Sequence, residues 1–220
     1  MWSRVTARSV PEPHPINPLS PIWKGRRIGL LGGSFNPAHR AHLLVSQTAI
    51  NRLGLDEVWW LVSPQNPLKS SEDMAPQAER LAEARRVAAG QRIRPTDIES
   101  ALGTRFTVDT LAALRRRFPL TKFVWLMGAD NLQQVTRWKR WPDIFRLTPV
   151  AIFGRPNYSL SAMSSTAAKR FGTRRIPVDR ARDLAGMVPP AWTFIHLRHE
   201  PTSATAIRAA RRAHNRSSVD

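Results

Sequence analysis

The chain has 220 residues, 42% of them hydrophobic; 34 lysines and arginines oppose 16 aspartates and glutamates, for a formal charge of +18, and cysteine is absent. That length allows one domain with a substantial core, and the missing thiols exclude disulfides, thiolate metal sites and a cysteine nucleophile, as suits a cytoplasmic protein. No apolar run is long enough for a membrane span, the first residues lack the basic-then-apolar order of a signal peptide, and the positive field draws polyanions in general without establishing a nucleic-acid partner.

Residues 1–24 contain Pro11, Pro13, Pro15, Pro18 and Pro21 without any apolar period and are expected to form a flexible extension. A single domain is expected over 25–213, followed by a polar tail at 214–220. Within the domain, residues 27–31 read as an apolar strand ending in glycines, and 41–53 as a helix stopped by Gly54. EVWWLV at 57–62 reads as a strand buried on both faces. A helix over 77–89 would present Arg80, Arg85 and Arg86 as a solvated basic face. A helix is expected at 108–118, strands at 122–127, 149–153 and 192–197, and a closing helix at 205–214. This alternation predicts an α/β fold with a doubly wound, Rossmann-like parallel sheet and helices on both faces. Ligands of such sheets bind beyond the carboxyl ends of the strands, where the connecting loops converge.

The stretch Gly32-Gly33-Ser34-Phe35-Asn36-Pro37-Ala38-His39-Arg40-Ala41-His42 carries two of the six histidines, three residues apart, just after a glycine pair. The glycines read as a turn where backbone passes close to a ligand, with a helix beginning near Ala38 or His39. A helix start offers free N–H groups and partial positive charge to a phosphate. At i and i+3, His39 and His42 would share one face of the first turn, where imidazoles can donate to phosphate oxygens and stabilise developing charge. Two other readings stand beside this one. The histidines could be structural, or they could share a metal ion, although the neighbourhood offers no Asp, Glu or Cys as a third ligand.

Further residues gather at the same predicted sheet edge. Lys69 follows the second strand within SPQNPLK, either as a solvated lysine or as a charge facing a ligand. Gly128 and Asp130 follow the third, where a carboxylate could read a ribose or simply cap the next helix. Trp138 and Trp141 flank Lys139-Arg140; tryptophans at this spacing are usually core, yet one could stack on a planar ring. Thr202-Ser203-Ala204-Thr205-Ala206-Ile207-Arg208 reads as a hydroxyl-rich helix start with an arginine one turn in, an ordinary N-cap or a second anion site. Two anion sites and a lysine at one edge suit a polyphosphate better than a single phosphate.

Together, GGSFNPAHRAH resembles the GG(S/T)F(D/N)PxHxGH signature of the nucleotidyltransferase superfamily. The pieces that follow in order, SPQNPLK, DIESALGTRFTVDTL, GADNLQQVTRWKRWPDI and SATAIR, are similar to those of bacterial nicotinate-nucleotide adenylyltransferases. The resemblance implies transfer of AMP from ATP to nicotinate mononucleotide, with pyrophosphate released, in NAD biosynthesis. It implies catalytic roles at the phosphates for His39, His42, Lys69 and Arg208, and ATP binding by Gly32, Gly33, Ser34, Phe35, Gly128, Asp130, Ser203 and Ile207. It places Asn36, Thr107, Trp138 and Arg155 around the mononucleotide, and brings magnesium in on ATP phosphates with no protein side chain as ligand. A homo-oligomer is compatible with it. The same chemistry on nicotinamide mononucleotide, or on another phosphorylated acceptor, is the nearest alternative; a basic RNA-binding protein is a distant one. The chain departs from the pattern at Ala41 for glycine, Leu68 for a common histidine, Phe106 for a common tyrosine and Ala204 for a serine.

Overall fold

Strand-forming runs rich in branched and aromatic residues assemble side by side in the computed structural model, which describes residues 16–17, 20–64, 74–154 and 159–197. The strands are β1 (Arg27–Gly33), β2 (Glu57–Val62), β3 (Ile93–Thr96), β4 (Lys122–Gly128), β5 (Val150–Gly154) and β6 (Trp192–His196). They form one parallel sheet in the order β3-β2-β1-β4-β5-β6. The order reverses between β1 and β4, the switch point at which open α/β sheets leave a crevice for ligands. Leu31 pairs with Leu126, so the Gly32 and Gly128 ends of these strands emerge next to one another.

Among the described residues, eight α-helices accompany the sheet: α1 (Arg40–Leu53), α2 (Gln77–Ala88), α3 (Ile98–Ala101), α4 (Thr107–Arg117), α5 (Ala129–Gln134), α6 (Trp141–Leu147), α7 (Ser159–Met163) and α8 (Thr166–Arg170). A 3-10 stretch, Val178–Gly186, packs beside α1. Alternation along β2 sends Trp59 into one layer, with Trp23, Phe118, Phe123 and Trp125, and Trp60 into the other, with Phe35, Leu53 and Leu126. Both faces of the sheet are therefore dry, as EVWWLV predicts. Helix α1 ends where expected, at Gly54 in the left-handed region (φ 63°).

Several expectations need correction. Part of the expected extension is ordered where it is described: Pro21–Trp23 forms a 3-10 turn, and Trp23 is only 5% exposed. Its ring meets Trp59 edge-on at 5.1 Å, and its indole N–H donates to the Asn17 carbonyl at 3.0 Å. Strand β3 was not foreseen, because Arg94 and Pro95 break an apolar run. As an edge strand it pairs with β2 alone, and an edge tolerates proline. The short helices from α5 to α8 also went unforeseen; each has five to seven residues, too few to show a period. The expected helix at 205–214 lies outside the described residues.

Candidate functional site at the sheet switch point

Gly32 and Gly33 belong to β1 itself, paired with Leu61 and Val62, so they do not form the turn expected of them. Their lack of side chains answers to packing. A Cβ on Gly32 would stand 2.6 Å from Cη2 of Trp125, and one on Gly33 would stand 3.3 Å from the Phe35 ring. The turn falls at Ser34–Pro37, and its left-handed residue is Phe35 (φ 48°), a strained position for a side-chain-bearing residue. Burial of the Phe35 ring, stacked on Trp60 at 5.0 Å between centroids, holds it there.

The histidines meet differently from two neighbours on a helix face. His39 is extended (φ −151°, ψ 172°) and is the N-cap of α1, while His42 is the third helical residue. The His39 backbone N–H donates to His42 Nδ1 at 3.1 Å, and the His42 N–H returns to the His39 carbonyl at 2.9 Å. A backbone N–H only donates, so Nδ1 of His42 holds a lone pair and the ring proton of the neutral imidazole resides on Nε2. The rings lie 3.9 Å apart, with Phe35 against His42 at 4.6 Å. Trp60 Nε1 donates to Ser46 Oγ, which donates to the His42 carbonyl, both at 2.8 Å, and so braces the first turn from below.

Across the switch point, β4 ends at Gly128, the N-cap of α5. Asp130 is exposed in the first turn, its Oδ1 so close to Gly128 that a Cβ there would stand 2.3 Å away. It occupies the second helical position rather than the cap. Thr107 opens α4, and Trp138 is half-buried against the first core layer. Trp141 is likewise half-buried against that layer, edge-on to Phe145 and Phe171. Asp109 ties the Thr107 and Trp138 segments together, accepting from Lys139 Nζ at 3.0 Å and from Arg140 at 2.8 Å. Lys139 also lies over the Phe106 ring, 4.6 Å from its centroid. The structure thus gathers Gly32, Gly33, Ser34, Phe35, Asn36, His39 and His42 at the end of β1, with Gly128 and Asp130 beside them. Lys69, Arg155, Ser203, Ile207 and Arg208 lie outside the described residues.

Two buried ionisable groups went unforeseen. Arg80, expected on a solvated face, is 2% exposed, and burial pulls its pKa below the ordinary guanidinium value. Glu99 on α3 is 8% exposed; burial raises its pKa, against the Thr110 hydroxyl that donates to it at 2.9 Å. Thr110 Oγ1 also lies 2.9 Å from Thr104 Oγ1, so the group fastens the loop that leads into Thr107. Amphipathic spacing would have flagged Arg80: it falls one residue before Leu81 and four before Ala84, on the apolar stripe of α2.

Residues 30–210 match the profile of the cytidylyltransferase-like family. The chain belongs to that family. Among its members, a protein of Rhizobium johnstonii described as a probable nicotinate-nucleotide adenylyltransferase is 50% identical over 185 residues, which is 84% of this chain and 93% of the relative. A protein of Methylorubrum extorquens with the same description is 52% identical over 182 residues, 83% of this chain and 98% of the relative. The fold is shared with the nicotinic acid mononucleotide adenylyltransferase of Plasmodium falciparum, solved in complex with NaAD, at a TM-score of 0.63 and 17% identity over 84% of this chain and 83% of that one. This cytidylyltransferase-like domain thus carries its histidine pair at the switch point of a sheet whose fold is also found in a solved adenylyltransferase.

Proposed function

We propose that this protein transfers the adenylyl group of ATP to the phosphate of nicotinate mononucleotide, giving nicotinate adenine dinucleotide and pyrophosphate in the cytoplasmic synthesis of NAD. The observation that carries the proposal is the His39–His42 pair, locked by its reciprocal cap and presenting a protonated Nε2 at the switch point. Relatives at 50% and 52% identity described as probable nicotinate-nucleotide adenylyltransferases support it.

In this reading a phosphate oxygen of the mononucleotide forms a bond to the α-phosphorus of ATP while the bond from that phosphorus to the bridging oxygen breaks. Pyrophosphate leaves with the electron pair. The acceptor phosphate is already anionic, so the protein supplies position and charge rather than a nucleophile or a strong base. His42 Nε2–H and His39 donate to phosphate oxygens as charge shifts toward the leaving group. Lys69, Ser203 and Arg208 add donors and positive charge, Gly128 and Asp130 read the adenosine ribose, and Ile207 lies at the adenine. Asn36, Thr107, Trp138 and Arg155 hold the mononucleotide, with the Trp138 ring stacked on the pyridine.

Among the described residues no group of three or more histidines and carboxylates is placed to hold a metal ion. In this reading magnesium arrives on ATP phosphate oxygens, where it neutralises charge. Among the same residues no helix is long and apolar enough to cross a membrane.

The deciding experiment measures pyrophosphate release from ATP with nicotinate mononucleotide and, in parallel, with nicotinamide mononucleotide. Release with the nicotinate form well above the nicotinamide form is expected. Release with the nicotinamide form alone would reassign the acceptor, and none with either would refute the proposal.

A further inference from the structure

Arg80 is a buried cation that, among the described residues, faces no carboxylate; its partners are four backbone carbonyls from three chain segments. Nε donates to Ala75 at 2.8 Å, one terminal nitrogen donates to Ser34, and the other reaches Ser63 at 3.0 Å and Pro64 at 3.2 Å. Desolvating a guanidinium is costly, and a fold that only needed to join loops could do so with neutral donors. The Arg80 contacts instead impose an orientation on the β1 turn.

The peptide between Ser34 and Phe35 is trans, so its C=O and N–H point in opposite directions. With the Ser34 carbonyl held on the guanidinium, the Phe35 N–H points away from Arg80. The preceding peptide is set in the same sense: the Gly33 carbonyl accepts from Ser63 N–H at 3.0 Å and from Ser63 Oγ–H at 3.2 Å. Two successive carbonyls thus face inward toward the β2 side, and two successive N–H groups, of Ser34 and Phe35, face the other way. A charged donor on the carbonyl also polarises the peptide and strengthens the opposite N–H as a donor. The strained Phe35 backbone needs such an anchor.

We propose that Arg80 is a positioning residue for nucleotide phosphates, fixing the Ser34–Phe35 peptide so that the Phe35 N–H donates to a phosphate oxygen of ATP. This rests on the adenylyltransferase reading. Lysine cannot replace it, because an ammonium offers three donors from one point where the guanidinium spreads five across a plane.

The test compares the full-length protein with its R80K and R80Q variants. ATP dissociation constants are measured by titration calorimetry, thermal midpoints by melting, and kcat and KM for each substrate by pyrophosphate release. For R80K we expect ATP binding and kcat/KM for ATP to weaken by about 10–100-fold, while KM for the mononucleotide changes far less. R80K binding ATP as the unchanged protein does would overturn the proposal, as would equal losses for both substrates that track the fall in melting temperature. A second arm needs no variant: in the 15N-labelled unchanged protein, ATP should move the Phe35 amide proton downfield, and an unmoved Phe35 signal under saturating ATP refutes the assignment. If ATP binds and shifts Phe35 but no pyrophosphate appears with nicotinate mononucleotide, the acceptor reading fails while Arg80 keeps its role.

Discussion

His42 joins two tasks on the two nitrogens of one ring, and two substitutions separate them. Nδ1 accepts the N-cap N–H of α1 at 3.1 Å, which leaves the ring proton on Nε2, the donor that the proposed function turns toward phosphate. Asparagine places an oxygen near the Nδ1 position and nothing near Nε2; glutamine places an amide near Nε2 and forfeits the cap. H42N should therefore keep the melting temperature and lose about 10²–10³-fold in kcat, the usual effect of removing one transition-state donor. H42Q should keep more of the turnover but forfeit a capping interaction of about 0.5–2 kcal/mol. For a domain of this size each kcal/mol shifts the midpoint by about 2–4 °C. Pyrophosphate release at saturating substrates and thermal melts of the three proteins supply both readouts. The reasoning is refuted if H42N melts as low as H42Q, or if it turns over within a few-fold of the unchanged protein.

Gly32→Ala forces its Cβ to 2.6 Å from Trp125 and should destabilise by about 1–3 kcal/mol. Adding W125F, which removes the clashing ring, should recover part of that loss, and strict additivity in melts would show that the contact is not the cause. D109N releases Lys139 and Arg140 and should raise KM for the mononucleotide several-fold with kcat little changed; an equal rise in KM for ATP would contradict the acceptor-side placement. Burial raises the Glu99 carboxyl above its ordinary value, so the native state holds that proton more tightly than the unfolded chain. Its stabilising contribution is complete at low pH and is lost as pH rises through the raised native value. Relative to E99Q, the unchanged protein should thus lose melting temperature as pH climbs from about 4.5, and a difference independent of pH would refute this.

The five strands written in branched and aromatic residues were legible because a strand buried on both faces needs little beyond apolar side chains. Strand β3 was not, since an edge accepts residues such as Arg94 and Pro95 that a central strand excludes. At the site, the GGSFNPAHRAH pattern gave the histidines and the sheet edge, but not the state of either. The glycines proved to be strand residues cut down for Trp125 and Phe35, with the left-handed turn passed to Phe35. The histidines proved to be a cap and its third residue. Arg80 was misjudged because residue type suggests solvent, whereas its partners are carbonyls brought together only by the crossover from β2 to α2.

Trp23 marks a difference between where the family pattern starts and where the folded body starts. The family match opens at residue 30, inside β1, whereas Trp23 already fills a hollow lined by Trp59 and Phe118 and lies beneath the Arg94 guanidinium. Trimming the chain to its recognisable motifs would leave an indole-sized hole, a loss of about 3–5 kcal/mol by the cost of truncating a buried aromatic. Against the 5–15 kcal/mol total typical of a domain, about a fifth or more of the stability would go with a segment that contributes no motif. Any attempt to shorten, fuse or graft this enzyme from its N-terminal side therefore has to leave the 3-10 turn at Pro21–Trp23 in place.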